Sequence, residues 1–247
     1  MPSASDWNDL VPSANRFDSP NRNIGGMAAG GPTHVVIHVT GTTNLGSVQN
    51  TFMNSSQQRS AHYVIAANGT LFQFARDADR AWHAGIGAPV RSLYARGPSV
   101  WRRHLRYFDW YRGYPADAVY VDADLMPTSQ DGAVFVARAD GQVWPHYGYF
   151  NTRWPGQSLP VNYAANPDPN RYAIGIETMG VGGSTNDPNV YPPAMYQTLD
   201  RLLADLSTKY GIPRQKGRVV GHEDVNPVER FGWDPNAGFD WSAVYRP

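Results

Sequence analysis

Cysteine is absent from the 247-residue chain, which excludes disulfides and thiolate metal ligands and leaves any tightly held metal dependent on His, Asp or Glu. No apolar run approaches the roughly 20 residues that a membrane helix needs, so membrane insertion is not expected. Charge of one sign is also missing: 21 basic residues balance 21 acidic ones, and such a chain has no basic field to draw in nucleic acid or an anionic lipid surface. There is no Gly-x-Ser-x-Gly elbow to support a serine hydrolase. The stretch Gly180-Val181-Gly182-Gly183-Ser184 lacks the Lys and flanking pattern of a phosphate-binding loop and reads as a flexible rim. Residues Met1 to Gly30 are polar and without the apolar centre of a secretory signal, so export by the ordinary signal-peptide route is not expected.

What is present suits a globular fold: 41% hydrophobic and 17% charged residues. Residues 1–32 end in a Gly-rich stretch and read as an extended arm. A core is therefore expected to begin after them, in one domain spanning 33–247. Thr33 to Val39 is a short β-branched, apolar run, the pattern of a buried strand, with His38 near its end. A helix is predicted over Ser47 to Gln57. His62 to Ala67, Asn68-Gly69 and Thr70 to Phe74 form a strand, turn and strand, since Asn-Gly between two such runs favours a tight hairpin.

A further strand is expected at Tyr172 to Thr178, holding Glu177 on rigid backbone. The clearest helix is predicted from Pro193 to Tyr210: Met195, Leu199, Leu202, Leu203, Leu206 and Tyr210 make one apolar stripe, Pro193 suits the first turn, and Gly211 with Pro213 ends it. Arg218 to His222 reads as a strand delivering His222 to a loop. Residues 86–170 form a long aromatic-rich stretch, with Trp101, Trp110, Trp144 and Trp154 among many Tyr, Arg and Pro, and show no helical period outside Ser99 to Tyr111. The order of elements implies an α/β (α+β) fold, a mixed central sheet flanked by helices.

Hydrolysis at zinc needs three protein ligands and one open position, and imidazoles with a carboxylate supply these without thiols. Of 7 His residues, His38 and His222 stand out because His38 ends a buried strand and His222 follows a short one, so that both would project from sheet ends into a shared cleft.

Five ordered blocks then make a more specific pattern: Ile37-His38-Val39-Thr40; Ser60-Ala61-His62-Tyr63-Val64-Ile65 with Asn68-Gly69; Ala81-Trp82-His83-Ala84-Gly85; Ile174-Gly175-Ile176-Glu177; and Val220-Gly221-His222-Glu223-Asp224 followed by Trp233-Asp234-Pro235 and Phe239-Asp240-Trp241. This series resembles the type 2 N-acetylmuramoyl-L-alanine amidases, whose fold is shared with phage lysozyme-type amidases and peptidoglycan recognition proteins. The resemblance covers roughly 33–85 and 172–241 and leaves 86–170 as an insertion atypical of the family. It implies Zn2+ held by His38, His222 and Asp234. It also implies Glu177 as general base and acid, and substrate contacts from His62, Trp82 and His83. Zinc would polarise the amide carbonyl and lower the pKa of its bound water towards ~7, and Glu177 would take the water proton and return one to the leaving amine. The bond implied is that between N-acetylmuramic acid and L-alanine, in peptidoglycan or muropeptides. A wall-cutting enzyme made in the cytoplasm would then reach the wall or periplasm through a phage holin or a secretion system, as an endolysin or antibacterial effector would.

Alternatives stay open at this level. Many family members carry a Lys two positions before the last ligand, where this chain has Gly232; Arg230, a residue of the insertion, or zinc alone could serve instead. The interval from His222 to Asp234 is long, so the intervening loop is expected to bulge. His62 and His83 are equally consistent with hydrogen-bonded framework residues. The insertion could cover a sheet edge or build a groove wall with Arg102, Arg103 or Arg153 facing peptide carboxylates. Two other functions compete: a recognition module that binds peptidoglycan without cutting it, and a structural zinc protein with a fourth ligand such as His62.

Overall fold

The computed structural model describes residues 7–85, 119–121, 126–127, 135–137, 143–145, 169–182, 187–215, 217–225, 230 and 233–246. The chain divides into two compact units, one formed by Met1–Gly85, Pro169–Val225 and Arg230–Pro247, the other by Ile86–Asp168 with Asn226–Glu229. In chain order the first unit opens with β1 (Arg22–Asn23), β2 (His34–Val39), α1 (Leu45–Met53), β3 (Tyr63–Ile65), β4 (Leu71–Gln73) and β5 (Arg80–Ala81). The second contains β6 (Val119–Val121), β7 (Phe135–Ala137) and β8 (Val143–Pro145), and the first resumes with β9 (Ala173–Thr178), α2 (Pro193–Tyr210), β10 (Val219–Gly221) and α3 (His222–Val225).

Five strands of the first unit form a mixed sheet in the order β10-β2-β9-β3-β4. Its three inner pairings are parallel and only β3 with β4 is antiparallel. Parallel strands have both faces covered, which is why β2 is buried at every position. One face packs on α2: Val35, Ile37, Val39, Ile174, Ile176, Tyr63 and Ile65 meet Met195, Leu199, Leu202, Leu203 and Leu206. Each such side chain contributes about 1.5 to 3 kcal/mol on burial. The sum exceeds the ~1 kcal/mol that α2 forgoes by having no side-chain hydrogen bond at its N-cap, Pro192. Gly211 stops α2 in the left-handed region, at φ 69. On the opposite face, α1 covers only the β3-β4 end, where Val48 and Phe52 join Val64, Phe72 and Phe74.

Several sequence expectations need correction. The helix predicted to Gln57 ends at Met53, because Asn54 is extended and its side chain instead accepts from Ser56 N to start a separate 3-10 turn at Ser55–Gln57. The core does not wait for residue 33: Val11 is fully buried in the α2-side cluster. Asn21 Nδ2 donates to the carbonyls of Phe52, Asn54 and Arg59, so the polar composition of this arm serves buried hydrogen bonds. Within 86–170, short β-branched runs pair as an antiparallel β6-β7-β8 sheet where no strand was expected. The helix expected at Ser99 to Tyr111 lies outside the described residues, as do Trp101, Arg102, Arg103, Trp110, Arg153 and Trp154. Among the described residues, no helix is long and apolar enough to cross a membrane.

Candidate metal centre

Strand alternation sets the site. With Val35, Ile37 and Val39 committed to the α2 face, His38 must point to the other. Its parallel register partner on β9 is Glu177, so the two side chains lie next to each other on that face. On the other flank, β10 pairs Gly221 with Ile37, which brings His222 alongside His38. His222 does not lie in a loop, as expected, but is the first residue of α3.

Asp234 arrives from the last segment and is fastened on both sides. Its backbone carbonyl accepts from Glu223 N at 2.8 Å, and its Oδ1 accepts from Val39 N at 3.0 Å. Gly221 lets this segment pass, because a Cβ there would stand 2.8 Å from Pro235 Cδ. The bulge expected between His222 and Asp234 involves 226–229 and 231–232, outside the described residues together with Gly232.

His38, His222 and Asp234 thus converge. One ligand atom from each lies within 4.8 Å of the others, and the residues are 2%, 4% and 4% exposed. His222 Nδ1 is 2.8 Å from Asp234 Oδ2 and His38 Nδ1 is 3.6 Å from Oδ1. Burial would raise the Asp234 carboxyl, but the His38 and His222 imidazoles against it outweigh that and hold it below the usual range. His38 is lowered by burial, with Asp234 opposing.

The donor set fits a metal ion. Nε2 of His222 faces the Gly85 carbonyl at 3.1 Å, which can only accept, so this nitrogen carries the proton. A ring carrying only that proton would turn the bare lone pair of Nδ1 towards a carboxylate oxygen, two acceptors that a shared cation would reconcile. Two imidazoles and a carboxylate suit zinc, and no fourth side chain joins them among the described residues.

Glu177 Oε2 is buried and has no hydrogen-bond partner among the described residues. Burial, reinforced by the charge of Asp234 and opposed by Arg230, raises its carboxyl to about 8. Arg230 stacks on Trp233 with its guanidinium carbon 4.5 Å from the ring centroid.

His62 is fully buried and spends both ring nitrogens on backbone: Nδ1 accepts from Gly175 N at 3.0 Å and Nε2 donates to Asp79 O at 2.9 Å. It is therefore placed as a framework residue, with no nitrogen left for substrate or for a fourth metal bond. Trp82 is half-buried, its Nε1 donating to Asn23 Oδ1 at 2.8 Å. His83 contacts His38, Nδ1 to Nε2, at 3.1 Å and its own Nε2 is 3.2 Å from Ala173 O. Burial and the neighbouring His38 and His62 hold it well below the ordinary value, in the neutral form. Sequence reasoning did not single out Gly85 or Asn170, whose backbone and side chain contact these imidazoles or their segment; the Trp82-His83-Ala84-Gly85 block marks the first and nothing marks the second.

A family model described as N-acetylmuramoyl-L-alanine amidase matches residues 28–101 and 99–237. Among solved structures, a selenomethionine derivative of AmpD is 19% identical, with 96% of this chain and 94% of that one covered and a TM-score of 0.51, a likeness of fold. The endolysin amidase LysCS from Clostridium intestinale is 13% identical over 95% and 93% of the two chains, TM-score 0.47. AmpDh3 from Pseudomonas aeruginosa, in complex with an anhydromuramic pentapeptide, is 16% identical over 99% and 65%, TM-score 0.44. No curated protein matches in sequence.

Proposed function

The chain belongs to the N-acetylmuramoyl-L-alanine amidase family, and from that we propose that it is a zinc-dependent hydrolase of the amide between N-acetylmuramic acid and L-alanine in peptidoglycan or its muropeptide fragments. The observation that carries this reading is the convergence of His38, His222 and Asp234 on the sheet face that also holds Glu177. Zinc bound there supplies a Lewis acid for the amide carbonyl and brings the pKa of a water to about 7.

The chain's own residues do the rest. Glu177 accepts the proton that water loses as its oxygen adds to the carbonyl carbon. It then delivers that proton to the nitrogen as the C–N bond breaks, leaving a lactyl carboxyl group and the amino group of L-alanine, and the carboxyl's remaining proton passes to that amine, giving carboxylate and ammonium. A carboxyl raised by burial suits this exchange near neutral pH, since proton transfer is most effective when the group's pKa lies near the working pH. Arg230, whose charge already acts on Glu177, supplies the positive charge that Gly232 cannot, and stabilises the oxyanion.

The test is to digest purified peptidoglycan and follow new L-alanine amino termini. Release that a chelator stops and zinc restores is expected; intact wall in the presence of fully loaded protein would leave a binding module as the function instead.

A further inference from the structure

The segment His83–Gly85 touches both histidines of the cluster. His222 Nε2 faces Gly85 O, and His38 Nε2 faces His83 Nδ1. The direction of the second bond follows from the far side of the His83 ring. Nε2 of His83 meets the Ala173 carbonyl, which only accepts, so the single proton of the neutral ring sits on Nε2 and Nδ1 is bare. His38 must therefore donate from its own Nε2, which leaves its Nδ1 free towards Asp234. A carbonyl and an imidazole nitrogen from one short segment thus impose the same tautomer on two rings far apart in the chain, one on β2 and one opening α3.

Two further contacts hold this segment. Asn170 Oδ1 accepts from both His83 N at 3.1 Å and Ala84 N at 2.7 Å. Gly175 leaves room for the His83 ring over β9: a Cβ built there would fall 2.4 Å from His83 Cγ, closer than real contacts come.

We infer that His83 and Asn170 are positioning residues for the metal centre: His83 accepts the Nε2 proton of His38, Asn170 clamps the segment that also presents Gly85 O to His222, and together they turn both Nδ1 atoms into ligands. Gly175 is the space this arrangement requires. The inference rests on the zinc reading above and assigns His83 to the ligands rather than to substrate. Outer partners of this kind typically change metal affinity about 10- to 100-fold when removed.

The test uses the full chain and measures zinc affinity by competition with a chromophoric chelator. His83→Leu and His83→Asn are close in shape, but only Asn places an oxygen where Nδ1 stood. His83→Leu is expected to weaken zinc binding at least tenfold, with His83→Asn recovering most of the loss. Asn170→Ala and Gly175→Ala should each weaken it about tenfold without touching either ligand ring. In the unaltered protein, long-range nitrogen-proton NMR spectra of the zinc-loaded form should show His38 and His222 protonated at Nε2, a readout independent of whether any variant folds. A proton on Nδ1 of either ring, or equal zinc affinity for the Leu, Asn and unaltered proteins, overturns the inference. Failure of the unaltered protein to bind zinc at all would remove the metal reading itself, whereas tight binding indifferent to all four changes removes only this one.

Discussion

The two faces of the five-stranded sheet are built from the same strands yet hold opposite chemistry. Towards α2, β2 and β9 present Val35, Ile37, Val39, Ile174 and Ile176 to a continuous apolar layer. Towards the other side the intervening positions are His34, Val36, His38, Ala173, Gly175 and Glu177, with His62 beside β3, so polar groups are set among small and apolar ones, and the three histidines are as buried as the apolar residues. Burying unpaired polar groups is costly, and Glu177 Oε2 has no partner among the described residues. The α2 layer therefore supplies the stability that allows the polar face to remain poised for chemistry. Changes on the two faces should separate accordingly, activity from stability.

The largest effect is expected from Asp234→Ala. It removes the one anion of the cluster, so retained zinc, measured by elemental analysis after dialysis, and amide hydrolysis should both fall to background. Glu177→Gln should lower kcat by about 10² to 10⁴ in a muropeptide assay while the urea midpoint stays the same or rises, because a buried carboxyl with an orphaned oxygen is replaced by a neutral amide. A matching fall in stability would break the division between faces. Leu202→Ala, at the centre of α2, should do the reverse, costing about 2 to 5 kcal/mol in urea unfolding with turnover per folded molecule retained. Arg230→Met is expected to reduce kcat by about 10² with little change in zinc content, which sharpens the comparison by separating charge at the site from metal binding. The smallest change, Asn44→Ala, deletes the side-chain bond to Ser47 N that caps α1 and should cost about 1 kcal/mol, read from the same urea curve, with turnover unaffected.

Legibility differed between these faces. The α2 stripe and its Pro193 and Gly211 boundaries were read at their observed positions, because a helix period and its stop signals are properties of neighbouring residues. Strand context singled out His38 and His222, but the full ligand set with Asp234 was legible only through resemblance to a family. Val39 N and Asp234 Oδ1 meet across 195 positions, and no local pattern encodes a contact of that separation. His62 shows the limit most clearly. Its block matched the family as well as that of His38, but only in the folded chain do Gly175 N and Asp79 O occupy both its nitrogens. Likewise Asn170 stands in a polar stretch among prolines with nothing to distinguish it until its oxygen is seen against His83 N and Ala84 N.

Composition and order alone therefore determined that this is a thiol-free chain of zero net charge with a mixed sheet, one long amphipathic helix and the family's blocks in sequence, since each of these depends on residue type and near neighbours. Which imidazoles face the carboxylate, which are consumed by backbone, and which nitrogen each ring offers were decided by the tertiary structure. Those properties arise from parallel strand register and from hydrogen bonds between segments far apart in the chain, and they exist only once the sheet has formed.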